Sequence, residues 1–206
     1  DNVHNVTINA GKADDTLSIG YMHGEAAQPN GLAIATRASV DAGDGNDRLD
    51  LHVHADFEYE IAPLLLTVTV SAGAGNDFLS VGTHNPYGYA IGIQATLDGG
   101  EGDDEFRIGS VLTLMLTGGS GADTFRFATA AYSGLLQAPR LFQFADNSSV
   151  QLTPSPIVIT DFTGGTAGDV LDLYEWLIDG TTLFSDNPFS SGHITLQQSG
   201  LNTLIS

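Results

Sequence analysis

The sequence predicts an all-β protein whose parallel strands form two facing apolar walls. Two observations lead to that fold class. A glycine-rich segment of the form small-Gly-x-Gly-x-Asp-x-apolar-x-apolar recurs five times, and apolar residues alternate with polar ones on both sides of each copy. Alternation with a period of two is typical of strands buried on one face. Repetition at this scale predicts stacked units, because one unit alone cannot bury its apolar face.

The five copies contain the motif aspartates Asp15, Asp47, Asp77, Asp104 and Asp123. The interval between them falls from 32 residues to 19 along the chain. The shortest interval predicts one complete unit, so the surplus residues of the others predict long insertions midway between motifs, at the edge opposite the motif loops. The insertions are 20–31, 54–63 and 83–88, and the copies are NAGKADDTLSI (9–19), DAGDGNDRLDL (41–51), SAGAGNDFLSV (71–81), DGGEGDDEFRI (98–108) and TGGSGADTFRF (117–127).

The repeats end at Phe127, which predicts a repeat region, 1–127, and a β-rich capping region, 128–206, within the same domain. A stack of repeats exposes its last unit, so a non-repetitive cap is expected there. The predicted cap comprises a hairpin-like excursion in 128–156, a strand at 157–162, a turn at 164–168, a strand at 169–173, a short helix at 174–178 and a final hairpin turning at Ser199 and Gly200.

Composition excludes several classes of protein. The 206 residues include 6 Lys and Arg against 25 Asp and Glu, a net charge of -19 that repels nucleic acid and anionic membranes. There is no cysteine, so disulfides and thiolate metal sites are excluded. No apolar run is long enough to predict a transmembrane segment. The chain opens within a strand-like pattern and without a signal peptide, which suggests a piece of a longer protein.

The motif residues are those that a calcium site needs. Ca²⁺ takes six to eight oxygen ligands from carboxylates and backbone carbonyls. Glycine permits the positive φ angles that bring several carbonyls of one loop to a common point, and aspartate supplies the charge. One loop provides too few oxygens, so two stacked loops are expected to share each ion. The alternative is a set of metal-free glycine turns in which aspartate acts only as a turn former.

The end of the repeat region resembles a known module. The segments GADTFRF (121–127), ITDF (159–162) and GDVLDL (168–173) resemble the C-terminal RTX module of serralysin-type metalloproteases, haemolysin-type toxins and other type I secreted bacterial proteins. The resemblance implies a right-handed parallel β-roll stabilised by about three to five Ca²⁺ ions. It also implies export by a type I secretion system, an extracellular or cell-surface location and folding on calcium binding. The chain departs from the family by placing motif loops on one edge only, and Lys12 and Ala13 replace usual motif residues.

The resemblance also implies a set of calcium ligands. In the family, one loop gives the carbonyls of its second and fourth positions with its Asp, and the neighbouring loop gives those of its first and third. The candidate ligands are Asp15, Ala42, Gly43, Asp44, Gly45, Asp47, Ala72, Gly73, Ala74, Gly75, Asp77, Gly99, Gly100, Glu101, Gly102, Asp104, Gly118, Gly119, Ser120, Gly121 and Asp123. Asp161 and Asp169 either close a further site or only cap turns. The carboxylates of Asp44, Glu101, Asp103 and Glu105 are expected to be solvated.

Other combinations of residues give weaker indications of chemistry. His52 and His54 share a strand face, but no third zinc ligand has a recognisable spacing, which favours exposed strand histidines. Glu58 and Glu60 share a face as the carboxylates of a glycosidase do, but they lie in an insertion. The sequence contains no G-x-S-x-G segment. We therefore expect a non-catalytic domain.

Two alternative functions remain open at the level of sequence. Aromatic residues gather in the insertions, which suits a surface-layer or adhesin segment whose insertion loops bind polysaccharide or another copy of the chain. The other alternative is an accessory part of a secreted polysaccharide-active enzyme or protease. The insertion aromatics are Tyr21, Phe57, Tyr59, Tyr87 and Tyr89.

Overall fold

A computed structural model describes most of the repeat region and short parts of the remainder. In the described residues the chain forms sixteen β-strands and no helix. These residues therefore include no helix that could cross a membrane. The expectation of an all-β chain with parallel strands is confirmed for this part. The described residues are 3–22, 34–54, 64–84, 91–109, 111, 113–127, 142–143, 149–150, 157–172, 196–199 and 202–205.

Two six-stranded parallel sheets contain most of the strands, and consecutive strands alternate between them. The first sheet has the order β1-β3-β5-β7-β9-β13 and the second the order β14-β10-β8-β6-β4-β2. The first sheet comprises β1 (Val3–Gly11), β3 (Ile34–Asp44), β5 (Leu64–Ala74), β7 (Ile91–Glu101), β9 (Thr113–Ser120) and β13 (Ile157–Ile159). The second comprises β2 (Thr16–Met22), β4 (Arg48–His54), β6 (Phe78–His84), β8 (Glu105–Ile108), β10 (Thr124–Phe127) and β14 (Val170–Asp172).

Each motif loop joins a strand of the first sheet to the next strand of the second. We call such a pair of strands with its loop a unit, and we number the units 1 to 6 as residues 3–22, 34–54, 64–84, 91–108, 113–127 and 157–172. The parallel register places equivalent residues of neighbouring units side by side. Gly73, for example, lies opposite Gly43 in unit 2 and Gly100 in unit 4. The motif loops therefore form one continuous row along one edge of both sheets.

The alternating apolar residues of the two sheets form one buried core, as their spacing predicts. Phe106 and Phe125 stack with ring centroids 4.9 Å apart. Unit 1 is less well covered, and Val6 is 43% exposed because β1 is the last strand of its sheet. Burial of each large side chain contributes roughly 1.5–3 kcal/mol. The core comprises Ala38, Val40, Ala42, Leu49, Leu51, Leu66, Val68, Val70, Ala72, Leu79, Val81, Ile93, Ala95, Leu97, Phe106, Ile108, Leu114, Leu116 and Phe125.

The strands that precede the insertions are longer than the sequence suggested. The predicted insertions start at Gly20, His54 and Thr83, whereas the strands continue to Met22, His54 and His84. Pairing in register with neighbouring strands explains the extension, because backbone hydrogen bonds to a neighbour outweigh a local turn signal. The flanking strands end and begin at the edge opposite the motif loops. Most insertion residues, including Phe57, Glu58, Tyr59, Glu60, Tyr87 and Tyr89, lie outside the described residues.

Unit 6 ends both sheets. The strands predicted at 157–162 and 169–173 are present as the shorter β13 and β14, which pair with β9 and β10. Phe162 follows β13 and its ring lies 6.2 Å from that of Phe125. Unit 6 thus covers the last apolar side chains of unit 5.

The remaining described strands are two antiparallel pairs. Within the predicted excursion, β11 (Phe142–Gln143) pairs with β12 (Ser149–Val150). Near the C-terminus, β15 (Leu196–Ser199) pairs with β16 (Asn202–Ile205), and Ser199 lies opposite Asn202. Both pairings confirm the predicted hairpins, although Ser199, which was predicted to lie in the final turn, is the last residue of β15. The predicted helix at 174–178 lies outside the described residues.

Candidate metal centre

Backbone geometry requires glycine at two positions of each intact motif loop. In unit 4 these are Gly100 and Gly102, with φ of 103° and 127°. Residues with a Cβ rarely adopt such angles. The packing of neighbouring loops imposes a second requirement, because a Cβ at Gly100 would overlap the carbonyl oxygen of Gly73 in unit 3. The glycines therefore let successive loops stack at backbone contact distance.

A ladder of hydrogen bonds connects the motif aspartates of neighbouring units. The backbone N–H of Asp77 donates to Oδ1 of Asp104 at 2.8 Å, and the N–H of Asp104 donates to Oδ1 of Asp123 at 3.0 Å. The same bond joins Asp15 to Asp47 and Asp47 to Asp77, each at 2.7 Å. Asp47, Asp77, Asp104 and Asp123 are almost fully buried, with Asp77 and Asp104 each 2% exposed, whereas Asp15 is half-buried. One oxygen of the carboxylates of Asp47, Asp77, Asp104 and Asp123 therefore has a structural role, whereas Asp15 takes part in the ladder through its N–H.

The second oxygen of each motif carboxylate is buried but has no hydrogen-bond partner among the residues that the structure describes. This holds for Oδ2 of Asp15, Asp47, Asp77, Asp104 and Asp123. Burying an ionised oxygen without compensation is costly, and buried polar atoms in folded proteins are almost always paired. Five equivalent orphan oxygens in one row form a set that a row of cations would satisfy. The donor chemistry of the loops therefore fits a metal that prefers oxygen.

A backbone carbonyl lies close to one of these orphan oxygens. The point where a Cβ would stand on Gly99 is within 2.6 Å of both Asp104 Oδ2 and the carbonyl oxygen of Gly118 in unit 5. The Asp104 carboxylate and the Gly118 carbonyl of the adjacent unit, which the family resemblance pairs as ligands, therefore both pack closely against the backbone of Gly99.

Other candidate carbonyls already take part in hydrogen bonds between loops. The carbonyl oxygens of Ala74, Glu101 and Ser120 accept bonds of 2.7–2.8 Å from the N–H of the second glycine in the preceding loop. Each carbonyl keeps a second lone pair. Among the described residues, no cluster of three or more His, Asp and Glu side chains is arranged to hold a metal. Any cation in these loops would therefore depend on backbone oxygens as well as on carboxylates.

Burial raises the pKa of three of the motif carboxyl groups. The pKa of Asp104 is raised to about 7, mainly by loss of solvation. The hydrogen bond from the Asp77 N–H opposes this rise, whereas the neighbouring carboxylates add to it. The pKa values of Asp77 and Asp123 are raised for the same principal reason. Negative charge in the row is thus unfavourable without a compensating cation.

The pKa shifts predict how pH affects the metal-free protein. A carboxyl group whose pKa is higher in the folded state binds more protons there, so stability falls as pH rises. For Asp104 the loss runs from about pH 4, near the ordinary value of 3.8, to about pH 7. In chelator, β-sheet circular dichroism should persist to higher urea concentration at pH 5 than at pH 8. A urea midpoint that rises with pH over this window would contradict the prediction.

A second, exposed ladder was not recognised from the sequence. In units 1 to 4, the side chain of the residue before the motif aspartate accepts a hydrogen bond from the N–H of the equivalent residue in the next unit. Oδ1 of Asn76 accepts from Asp103 at 2.9 Å, and Oδ1 of Asp103 accepts from Ala122 at 2.8 Å. Asp14 and Asn46 accept in the same way. The repeated Asn or Asp at this position was the sequence signal for this ladder. Asp103 is exposed, as expected, but its side chain also accepts one of the ladder hydrogen bonds.

Two of the other carboxylates expected to be solvated form ion pairs. Oδ2 of Asp44 lies 2.9 Å from Nζ of Lys12, and both side chains are exposed. Lys12 belongs to the imperfect first motif, in which Ala13 replaces the second glycine. Glu105 lies 2.7 Å from Nη1 of Arg126, so it is ion-paired rather than free. Glu101 is exposed as expected. Exposed pairs of this kind contribute little to stability.

Asp161 and Asp169 differ from the motif aspartates because both oxygens of each are hydrogen-bonded. Asp169 occupies the sixth position of the ladder, accepting from the Asp123 N–H at 3.0 Å, and its Oδ2 accepts from the Thr163 N–H at 2.7 Å. Asp161 accepts bonds of 3.0 and 2.8 Å from two N–H groups of the unit 5 loop. These bonds favour the turn-capping alternative over a further metal site.

Comparisons with known proteins give no independent indication of function. No protein-family model, curated protein or solved structure matches this chain. The stacked loops and their orphan oxygens are thus the features that bear on what the chain does.

Proposed function

We propose that this chain is a calcium-binding parallel β-roll of the RTX type, which folds outside the cell when calcium enters its loops. The observation that supports the proposal most directly is the row of five buried Oδ2 atoms that have no hydrogen-bond partner within the described ranges. A protein that kept these carboxylates charged and uncompensated would be destabilised at neutral pH. The repeated loops supply both the charge and the backbone oxygens that Ca²⁺ requires.

In this proposal, stacked loops share each ion. Asp104 Oδ2 and the Gly118 carbonyl of the next unit would be two of its ligands, because both oxygens lie beside the backbone of Gly99. Asp47, Asp77 and Asp123 would act in the same way from equivalent positions. When bound, Ca²⁺ supplies the positive charge that allows the carboxylates to stay ionised in the buried row. The chain's own residues hold the loops in register through the aspartate ladder.

The donor set favours calcium over other common metals. Without cysteine the chain cannot build a thiolate zinc site. Mg²⁺ requires near-ideal octahedral geometry and usually keeps several water ligands, which suits small, hydrated sites. Ca²⁺ tolerates irregular geometry and six to eight oxygens, as stacked backbone loops provide.

Acidic loops of this kind suit a protein that stays unfolded where calcium is scarce and folds where calcium is abundant. In low calcium, a chain with a net charge of -19 repels itself and resists folding, which suits export through a type I secretion channel. Extracellular calcium-binding modules typically have Kd values of about 10⁻⁴–10⁻³ M. A site filled at ten times its Kd adds about 1.4 kcal/mol, so several sites add much of a domain's stability of about 5–15 kcal/mol. The role proposed is structural rather than catalytic.

A calorimetric titration tests the proposal. Protein stripped with chelator and dialysed at pH 7.5 should bind about three to five Ca²⁺ ions per chain, the number that stacked loops sharing ions can hold. Mg²⁺ at the same concentration should give much weaker binding. The matched control replaces all of Asp47, Asp77, Asp104 and Asp123 by Asn, which keeps an acceptor for each ladder bond. Calcium binding unchanged in that variant, or absent from the natural chain, would overturn the proposal.

A further inference from the structure

The motif loops differ at one position that the repeated pattern treats as equivalent. The residue before the first loop glycine is alanine in units 2 and 3, at Ala42 and Ala72, but glycine in units 4 and 5, at Gly99 and Gly118. The two alanines are fully buried, with 0% exposure. Their methyl groups therefore occupy space inside the structure beside the motif loops.

Backbone conformation does not explain glycine at this position. Gly99 and Gly118 are absent from the glycines with positive φ, whereas the loop glycines Gly100 and Gly119 have φ of 103° and 104°. A residue with a Cβ could therefore adopt the Gly99 backbone without strain. The units therefore differ in the room available for a methyl group at this position.

That space is occupied by an orphan carboxylate oxygen. A Cβ on Gly99 would lie well inside 3.0 Å of Asp104 Oδ2 and 2.6 Å from the Gly118 carbonyl oxygen, and real Cβ atoms essentially never approach others closer than 3.0 Å. A Cβ on Gly118 would also overlap Asp123 Oδ2, but its three nearest atoms all belong to Asp123 and none is a carbonyl of unit 6. In units 2 and 3 the methyl groups of Ala42 and Ala72 must hold Oδ2 of Asp47 and Asp77 further from the loop backbone.

We infer that Gly99 makes the site between units 4 and 5 the tightest calcium site of the row, whereas Ala42 and Ala72 weaken the sites between units 2, 3 and 4. The inference rests on the proposed calcium function and specifies how that function is distributed along the chain. At Gly99 the carboxylate oxygen of unit 4 and the carbonyl oxygen of unit 5 both lie in the space that a methyl group on residue 99 would need. Residue 99 is therefore a determinant of affinity that donates no side-chain ligand.

Reciprocal substitutions test the inference by calorimetric calcium titration at pH 8. Gly99→Ala should weaken the tightest binding step about tenfold, because both oxygens must move away from the methyl group. Ala72→Gly should strengthen a weaker step by about threefold or more and should not weaken the tightest one. Gly→Ala at a permitted φ normally stabilises a protein by restricting the unfolded chain, so an affinity loss would not arise from the backbone.

A third variant controls for the Gly→Ala change itself. Gly109 also lacks a positive φ, and among the described residues a Cβ there would meet no atom closer than 3.4 Å. Gly109→Ala should leave every binding step unchanged, and circular dichroism at saturating calcium should show that each variant is folded. If Gly99→Ala does not fold, Ala72→Gly decides the question. An unchanged affinity in Ala72→Gly, or in a folded Gly99→Ala, overturns the inference while the calcium function stands. Absence of calcium binding in the natural chain overturns both.

Discussion

In excess chelator at pH 7.5, the protein should lose most of its β-sheet circular dichroism signal, and millimolar calcium should restore it. The reason lies in the motif row, where Asp47, Asp77, Asp104 and Asp123 each bury an oxygen that has no hydrogen-bond partner in the described part of the chain. Each uncompensated carboxylate lowers the stability of the fold. Because the same carboxylates bridge neighbouring units, their contributions should be cooperative, and the calcium dependence of folding should be steeper than a single-site curve.

Two controls separate calcium binding from general screening of a protein with a net charge of -19. Sodium chloride at about 0.2 M screens exposed charges over roughly 7–8 Å but supplies no ligand to a buried oxygen. It should therefore restore much less signal than millimolar calcium does. Magnesium should also restore less, since it accommodates irregular backbone ligands poorly. An unchanged spectrum in chelator would contradict the prediction, and equal recovery in sodium chloride would assign the effect to screening alone.

The fold and the loop row were accessible from the sequence because both depend on short patterns. Alternation around Val68 and Leu79 gives the inward faces of both sheets, and both residues are buried. The motif glycines predict turns with positive φ, as Gly73 and Gly100 show. In each case the determinant lies within a few residues of the position it determines. Local sequence is therefore enough to predict the inward faces of the strands and the turns of the motif loops.

The features that could not be predicted from the sequence depend on contacts between residues that are far apart along the chain. Asp161 reaches the loop of unit 5 across 43 residues, and Arg126 pairs with Glu105 across 21 residues. Both contacts require the register between strands, which no local pattern specifies. The extension of β6 to His84 has the same origin, since its pairing with β4 continues past the turn signal. The space beside Gly99 is bounded by Asp104 and by Gly118 of the next unit, so it too depends on the register between strands.

Replacing Asp104 should raise the calcium concentration needed for folding more than replacing Asp15. Asp104 is 2% exposed and is hydrogen-bonded within the row on both sides, to Asp77 and Asp123. Asp15 belongs to the imperfect first motif and has one such neighbour, Asp47. Losing a charged ligand costs about 1.5–3 kcal/mol, which is roughly a tenfold to hundredfold change in affinity. The calcium midpoint of Asp104→Asn should therefore rise at least about tenfold.

Three substitutions distinguish the charge of the Asp104 carboxylate from its role as a hydrogen-bond acceptor. Asp104→Asn keeps an oxygen that accepts the Asp77 N–H, so in chelator it should be at least as stable as the natural chain, because it removes an unfavourable buried charge. Asp104→Ala also leaves that buried N–H unpaired, which costs about 1–3 kcal/mol more. Asp15→Asn should shift the calcium midpoint by less than about threefold. Midpoints from circular dichroism titrations check the order, and equal shifts for Asp104→Asn and Asp15→Asn would show that the central position of Asp104 in the row does not set its contribution.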